Sequence, residues 1–140
     1  TPLEYELSYG SENANAVSAD DLQAYDREVR SAFYSAGVPR SLAQGLLTAL
    51  TQTANSYPEE MSEAARKLRF IEEGARLKKL SGSDGTEVTR LATVAYNALP
   101  KDFREGVDAQ FGWHSAEAQN ALAAVGRALE YRAQRKGAKK

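Results

Sequence analysis

Residues 18–39 read Ser-Ala-Asp-Asp-Leu-Gln-Ala-Tyr-Asp-Arg-Glu-Val-Arg-Ser-Ala-Phe-Tyr-Ser-Ala-Gly-Val-Pro, and this stretch decides the fold class. The Ser18 hydroxyl suits a helix N-cap, and Asp20 and Asp21 put negative charge at the positive end of the helix dipole. Leu22, Tyr25, Val29 and Phe33 then recur at helical spacing, with Ala32 and Ala36 widening the stripe. Gly37 fits a left-handed residue that ends a helix, and Pro39 fits the first position of the next one. One complete helix is therefore followed at once by the start of another.

The same grammar extends in both directions. Leu42, Leu46, Ala49, Leu50 and Thr53 form a second stripe that ends near Tyr57. The tight Gly-Val-Pro turn between the two stripes predicts a helical hairpin. Pro58 opens a third helix to about Leu80, with Met61, Ala64, Ala65, Leu68, Ile71, Ala75 and Leu80 on its apolar side. At 1.5 Å per residue it would span roughly 34 Å, long enough to project from a compact body. Ser81-Gly82-Ser83-Asp84-Gly85 reads as a hinge, separating residues 1–80 from a C-terminal unit over 86–140 within a chain of single-domain length. Val88, Leu91, Ala92, Ala95 and Leu99 mark a fourth helix closed by Pro100, and Phe103 and Val107 mark a short fifth. Phe111-Gly112-Trp113-His114 forms a turn, and Ser115 caps a last helix that buries Ala118, Ala121, Leu122, Val125 and Leu129. Beyond Tyr131 that helix is expected to fray.

At the other end, Leu3, Tyr5, Leu7 and Tyr9 alternate with polar residues, which is the period of a short half-buried strand. With no second strand in view, it either pairs between subunits or lies extended, and Gly10 to Asn15 is a loop. The expectation is an all-α protein: a helical hairpin, a long central helix and a C-terminal helical unit, led by a short extended segment.

Composition qualifies this picture. Leu, Ile, Val and Phe number 26 of 140 residues, just under the ~20% at which disorder becomes plausible, yet the formal net charge is only −1. The 24 alanines favour helix while burying little surface, so helices form over a thin core. A chain of this kind gains by covering apolar stripes with a partner, which points to a homo-oligomer. Charge is uneven: residues 1–28 carry seven acidic side chains against Arg27, whereas Arg127, Arg132, Arg135, Lys136, Lys139 and Lys140 end the chain opposed only by Glu130. Such ends often serve as interaction segments. The Thr-Pro start suggests a processed or trimmed chain. No apolar run has membrane-spanning length, and nothing near Thr1 reads as a signal peptide.

The chemistry-bearing residues are few. The absence of Cys rules out disulfides, thiol catalysis and thiolate metal sites, and fits a reducing compartment. His114 is the single His and has no sequence-evident nucleophile or carboxylate partner, so it reads as a turn residue at the start of a helix. Glu59, Glu60 and Glu63, and Glu72 with Glu73, read as solvated charges, with Arg66, Lys67 and Arg69 as helix-spaced partners. The 81–85 loop lacks the Gly-Lys-Ser/Thr ending of a phosphate-binding loop. No catalytic residue, cofactor site or metal site is assigned. Trp113 is either a core side chain or an exposed interface anchor. The basic tail is either a solubilising end or a docking segment for an acidic surface, whether a coat protein or nucleic acid. Its one aromatic, Tyr131, gives little for base stacking.

Three stretches together resemble the scaffolding (capsid-assembly) proteins of tailed phages. They are Leu3-Glu4-Tyr5-Glu6-Leu7 with Asp20-Asp21-Leu22, then Gly37-Val38-Pro39 with Ala43-Gln44-Gly45-Leu46-Leu47. The third runs from Phe103-Arg104 through Phe111-Gly112-Trp113-His114 to Val125-Gly126-Arg127-Ala128-Leu129. Ser115 stands where that pattern has Pro, and the basic end departs from the acidic ends of many such proteins. The resemblance implies a transient helical protein in the host cytoplasm, inside the procapsid, that binds the major capsid (coat) protein and itself. A small nucleic-acid-binding or DNA-packaging accessory protein is the alternative.

Overall fold

Ser18 does what its position requires: its Oγ accepts the Asp21 amide at 3.1 Å and opens α1, Ala19–Ala36. Gly37 ends that helix at φ +78°, and the Val38 amide reaches back to the Phe33 carbonyl at 2.9 Å. A side chain at Gly37 would be strained in this left-handed conformation, so the turn needs glycine. The computed structural model describes residues 1–9, 18–57, 61–81, 85–110 and 112–138. After α1 come α2 (Arg40–Asn55), α3 (Glu63–Ser81), α4 (Gly85–Ala98), α5 (Lys101–Ala109) and α6 (Ala116–Ala138). The protein is all-α, and the described residues contain no strand. The expected 10–15 loop, the 82–84 centre of the hinge and the Pro58 helix start lie outside the described residues. At the start of α3, the Ser62 Oγ accepts the Ala65 amide at 3.1 Å.

The last helix organises the rest. α4 lies along α6, and α2 and α3 pack against it from other sides. The two sequential helices α1 and α2 share little direct packing, so the predicted hairpin is not the organising unit. Pro39 turns the chain at the N-cap position, and the stripe of α2 is covered by α6. Residues on both sides of the expected hinge contribute to one core, from Tyr5, Val29 and Phe33 to Leu91, Leu122 and Val125.

Two features let a core poor in Leu and Ile hold together. Gly126 sits where α6 meets α4: a β-carbon there would lie 1.9 Å from the Leu91 carbonyl oxygen. Only glycine permits that approach. Edge-on ring contacts also run through the core, from Tyr5 to Phe33 (6.1 Å), Phe33 to Phe103 (5.9 Å), Phe103 to Trp113 (6.3 Å) and Trp113 to Tyr96 (5.4 Å). Such pairs each add about 0.5–1.5 kcal/mol beyond area burial.

The N-terminal segment is a strap and not a strand. Pro2–Glu4 is a single 3₁₀ turn, Tyr5 after it is extended, and the chain to Tyr9 has no regular secondary structure. The Tyr5 hydroxyl donates to the Val38 carbonyl at 2.6 Å, and the Tyr9 hydroxyl to Asp26 at 2.5 Å. Arg30 binds Asp26 at 2.8 Å and donates to the Tyr5 carbonyl. The Gln44 side-chain amide accepts from the Ser8 amide (2.7 Å) and donates to the Ser8 carbonyl (3.0 Å). That amide takes the place of a neighbouring strand, which explains a strand-like pattern without a sheet.

Candidate functional site

The inward side of α3 sets Leu77 against the core and holds the helix with polar ties. Arg69 donates to the Ser56 carbonyl and lies 4.2 Å from the centre of the Tyr57 ring. One turn on, the Glu73 Oε2 accepts the Ala116 amide at 3.1 Å, capping the start of α6 from outside. Arg76 joins Glu73 (3.0 Å) and also binds Glu117. Phe70 meets the His114 ring edge-on at 5.3 Å. Sequence reading treated Glu73 as a solvated charge; it is turned inward because a helix N-terminus stands opposite it.

The consequence is on the other side of the helix. Ala64, Leu68, Ile71 and Ala75 share the face that points away from the body, and all four are exposed. Leu68 is 58% and Ile71 67% exposed. Of the eight large apolar side chains left exposed among the described residues, Leu68, Phe70, Ile71 and Leu80 belong to α3. The spacing marks this stripe, and the structure leaves it uncovered within the chain, as a helix reaching out from the body would. The helix is held by ion pairs and caps on one side and leaves its apolar side uncovered.

Beside α3, a half-open cleft of about 340 Å³ is lined by Phe70, Leu77, Tyr96, Trp113, His114 and Leu122 among others. Burial lowers the pKa of His114, partly opposed by Asp108. The His114 carbonyl accepts the Tyr57 hydroxyl at 2.8 Å, tying the turn to the end of α2. Ser115 makes the second tie. Its Oγ accepts the Ala118 amide (2.9 Å) and lies 2.6 Å from the Thr53 Oγ1, which donates onward to the Ala49 carbonyl. With the Thr53 proton so committed, Ser115 is the donor between the two hydroxyls.

Of the two readings of Trp113, the structure shows the core one and not the exposed anchor: the side chain is 4% exposed, and its indole N–H donates to the Arg104 carbonyl at 3.2 Å. A buried indole needs such an acceptor, and α5 supplies one. The basic tail is also corrected in part, since α6 remains helical through Ala138 and does not fray at Tyr131. Arg132 donates to the Gly37 carbonyl at 3.1 Å, and Arg135 lies 5.8 Å from the Tyr131 ring centre. Arg127, Arg135 and Lys136 are exposed, whereas Lys139 and Lys140 lie outside the described residues. Glu63 is exposed and pairs with Lys67 at 3.7 Å; Glu59 and Glu60, and Phe111, lie outside the described residues.

No protein-family model, curated protein or solved structure matches the chain. Among the described residues, no three His, Asp or Glu side chains gather where they could hold a metal ion. No described helix is long and apolar enough to cross a membrane.

Proposed function

We propose that this protein is a non-catalytic assembly factor of the phage-scaffolding kind, binding coat subunits and further copies of itself while a shell forms. The observation that carries this reading is the outward apolar face of α3, with Leu68 and Ile71 both more than half exposed. An exposed stripe on a helix anchored by its polar side gains by meeting a partner. The exposed basic residues Arg127, Arg135 and Lys136 add a second, electrostatic contact suited to an acidic surface. Many weak contacts on neighbouring subunits sum by avidity, and each can break when the protein leaves.

Co-sedimentation with assembled phage shells, alongside duplex DNA in the same buffer, tests the reading. Binding to shells that is lost in L68E/I71E, with the helical circular dichroism unchanged, is the expected result. The alternative, a nucleic-acid accessory protein, draws on the same basic residues. It predicts binding to DNA and not to shells, with log affinity falling by about 0.9 per phosphate contact for each unit of log salt.

A further inference from the structure

The outward residues of α3 follow a heptad. Leu68 and Ala75 fall on one seam position and Ala64, Ile71 and Lys78 on the other, at alternating spacings of four and three. Around the helix this seam lies opposite Arg66, Arg69, Phe70, Glu73 and Leu77, which face the body. A second helix can therefore lie along the seam without displacing the groups that hold α3 down. Resting on the reading of this face as an assembly surface, we infer that two copies of the chain pair through α3, parallel and in register.

Charge beside the seam selects the second copy and its direction. Lys67 and Glu72 flank the seam on opposite sides, and both are exposed. In a parallel in-register pair, the position of Lys67 on one helix faces that of Glu72 on the other, so twofold symmetry creates two opposite-charge contacts. In an antiparallel pair with Leu68 opposite Ile71, Lys67 approaches Gly74 and Glu72 approaches Ala65 or its own symmetry mate. That arrangement yields no opposite-charge contact. Lys67 pairs within its own helix with Glu63 at 3.7 Å, an exposed contact that it can exchange for one across the interface. Lys78 on the seam ends the apolar stretch, which keeps the pair short and dissociable.

The lack of native cysteine makes a clean crosslinking test possible in the full chain. In the parallel pair, A75C places two thiols side by side, and mild oxidation should yield a covalent dimer from this variant alone. In the antiparallel pair, position 75 lies opposite 64, and the two copies of 75 are roughly 16 Å apart along the axis, beyond the ~7 Å that a disulfide spans. A dimer formed only in a mixture of A64C and A75C would overturn the parallel arrangement. No dimer from any of these would overturn the pairing itself. Charge reversal supplies an independent arm: K67E should raise the dimer Kd about fivefold, and K67E/E72K should bring it back to within about twofold. If K67E has no effect, or the double variant does not recover, charge does not set the direction. Shell co-sedimentation of the same variants is read separately. Failure to pair with retained shell binding would remove the pair and leave the assembly reading standing.

Discussion

Gly126 and Gly74 both sit inside helices, yet their surroundings predict opposite outcomes for the same substitution. Helix propensity alone favours Ala over Gly by about 1 kcal/mol. At Gly74 a β-carbon meets nothing within 4 Å, so G74A should stabilise the protein by about 0.5–1 kcal/mol. At Gly126 it would meet the Leu91 backbone, so G126A should cost about 1–3 kcal/mol or more. Urea unfolding of the two variants reads both signs. Nothing in the sequence near Gly126 distinguishes it from Gly74, because the obstacle belongs to a helix 35 residues away. The titrating groups predict a second residue-scale effect. Burial lowers the His114 pKa, and contacts with Arg90 or Arg76 lower those of Glu87, Glu117 and Glu130. In each case the folded state binds its proton at lower pH than the unfolded chain does. The His114 contribution is therefore full above about pH 6.5 and declines as pH falls through the folded value; the carboxylates follow below about pH 4.5. Tyr5, Tyr57 and Tyr96 are raised mainly by burial, so stability should also decline above about pH 10. Thermal midpoints that rise from pH 7 to pH 5 would contradict the histidine assignment.

Among the elements, α3 is the one most dependent on a few polar ties. E73Q retains size while removing the charge that meets Arg76 and the Ala116 amide. Hydrogen exchange should accelerate across α3 in this variant, while α4 retains its protection within the core. Equal acceleration in both helices would mean that α3 unfolds only with the whole. The starts, stops and stripes of the helices were legible because capping and periodicity are local. The inward face of α3 was not. Its selection depends on the α2 terminus, which attracts Arg69 from 13 residues back, and on the α6 terminus, which attracts Glu73 across 43 residues, and neither pairing is a matter of helix periodicity. The strap from Tyr5 to Tyr9 and the ordered tail were hidden for the same reason: Gln44 and Gly37 supply their distant partners. R132A should accordingly loosen the last turns of α6, read as faster amide exchange after Tyr131.

At the scale of the whole molecule, a thin core and an uncovered stripe have a common cause. The chain contains few large aliphatic side chains, and it leaves Leu68, Ile71 and Leu80 outside the core. Stability within one copy comes from close helix approach and ring contacts, which need little bulk. The remaining bulk is free for association. All-α architecture was legible from alanine content and capped stripes, and the candidate surface was legible as an apolar stripe on a long helix, though which groups would hold its other face was not. The basic end was legible as a charge cluster, but its helical continuation and the Arg132 tie were not. Sedimentation equilibrium of the full chain tests the central claim most directly, comparing the wild type with I71E at micromolar concentrations. The account predicts a wild-type mass of at least twice the 15.2 kDa chain, and a single-chain mass for I71E with unchanged helical circular dichroism. A wild type that remains one chain well above that range, or an I71E variant that associates equally well, would contradict it.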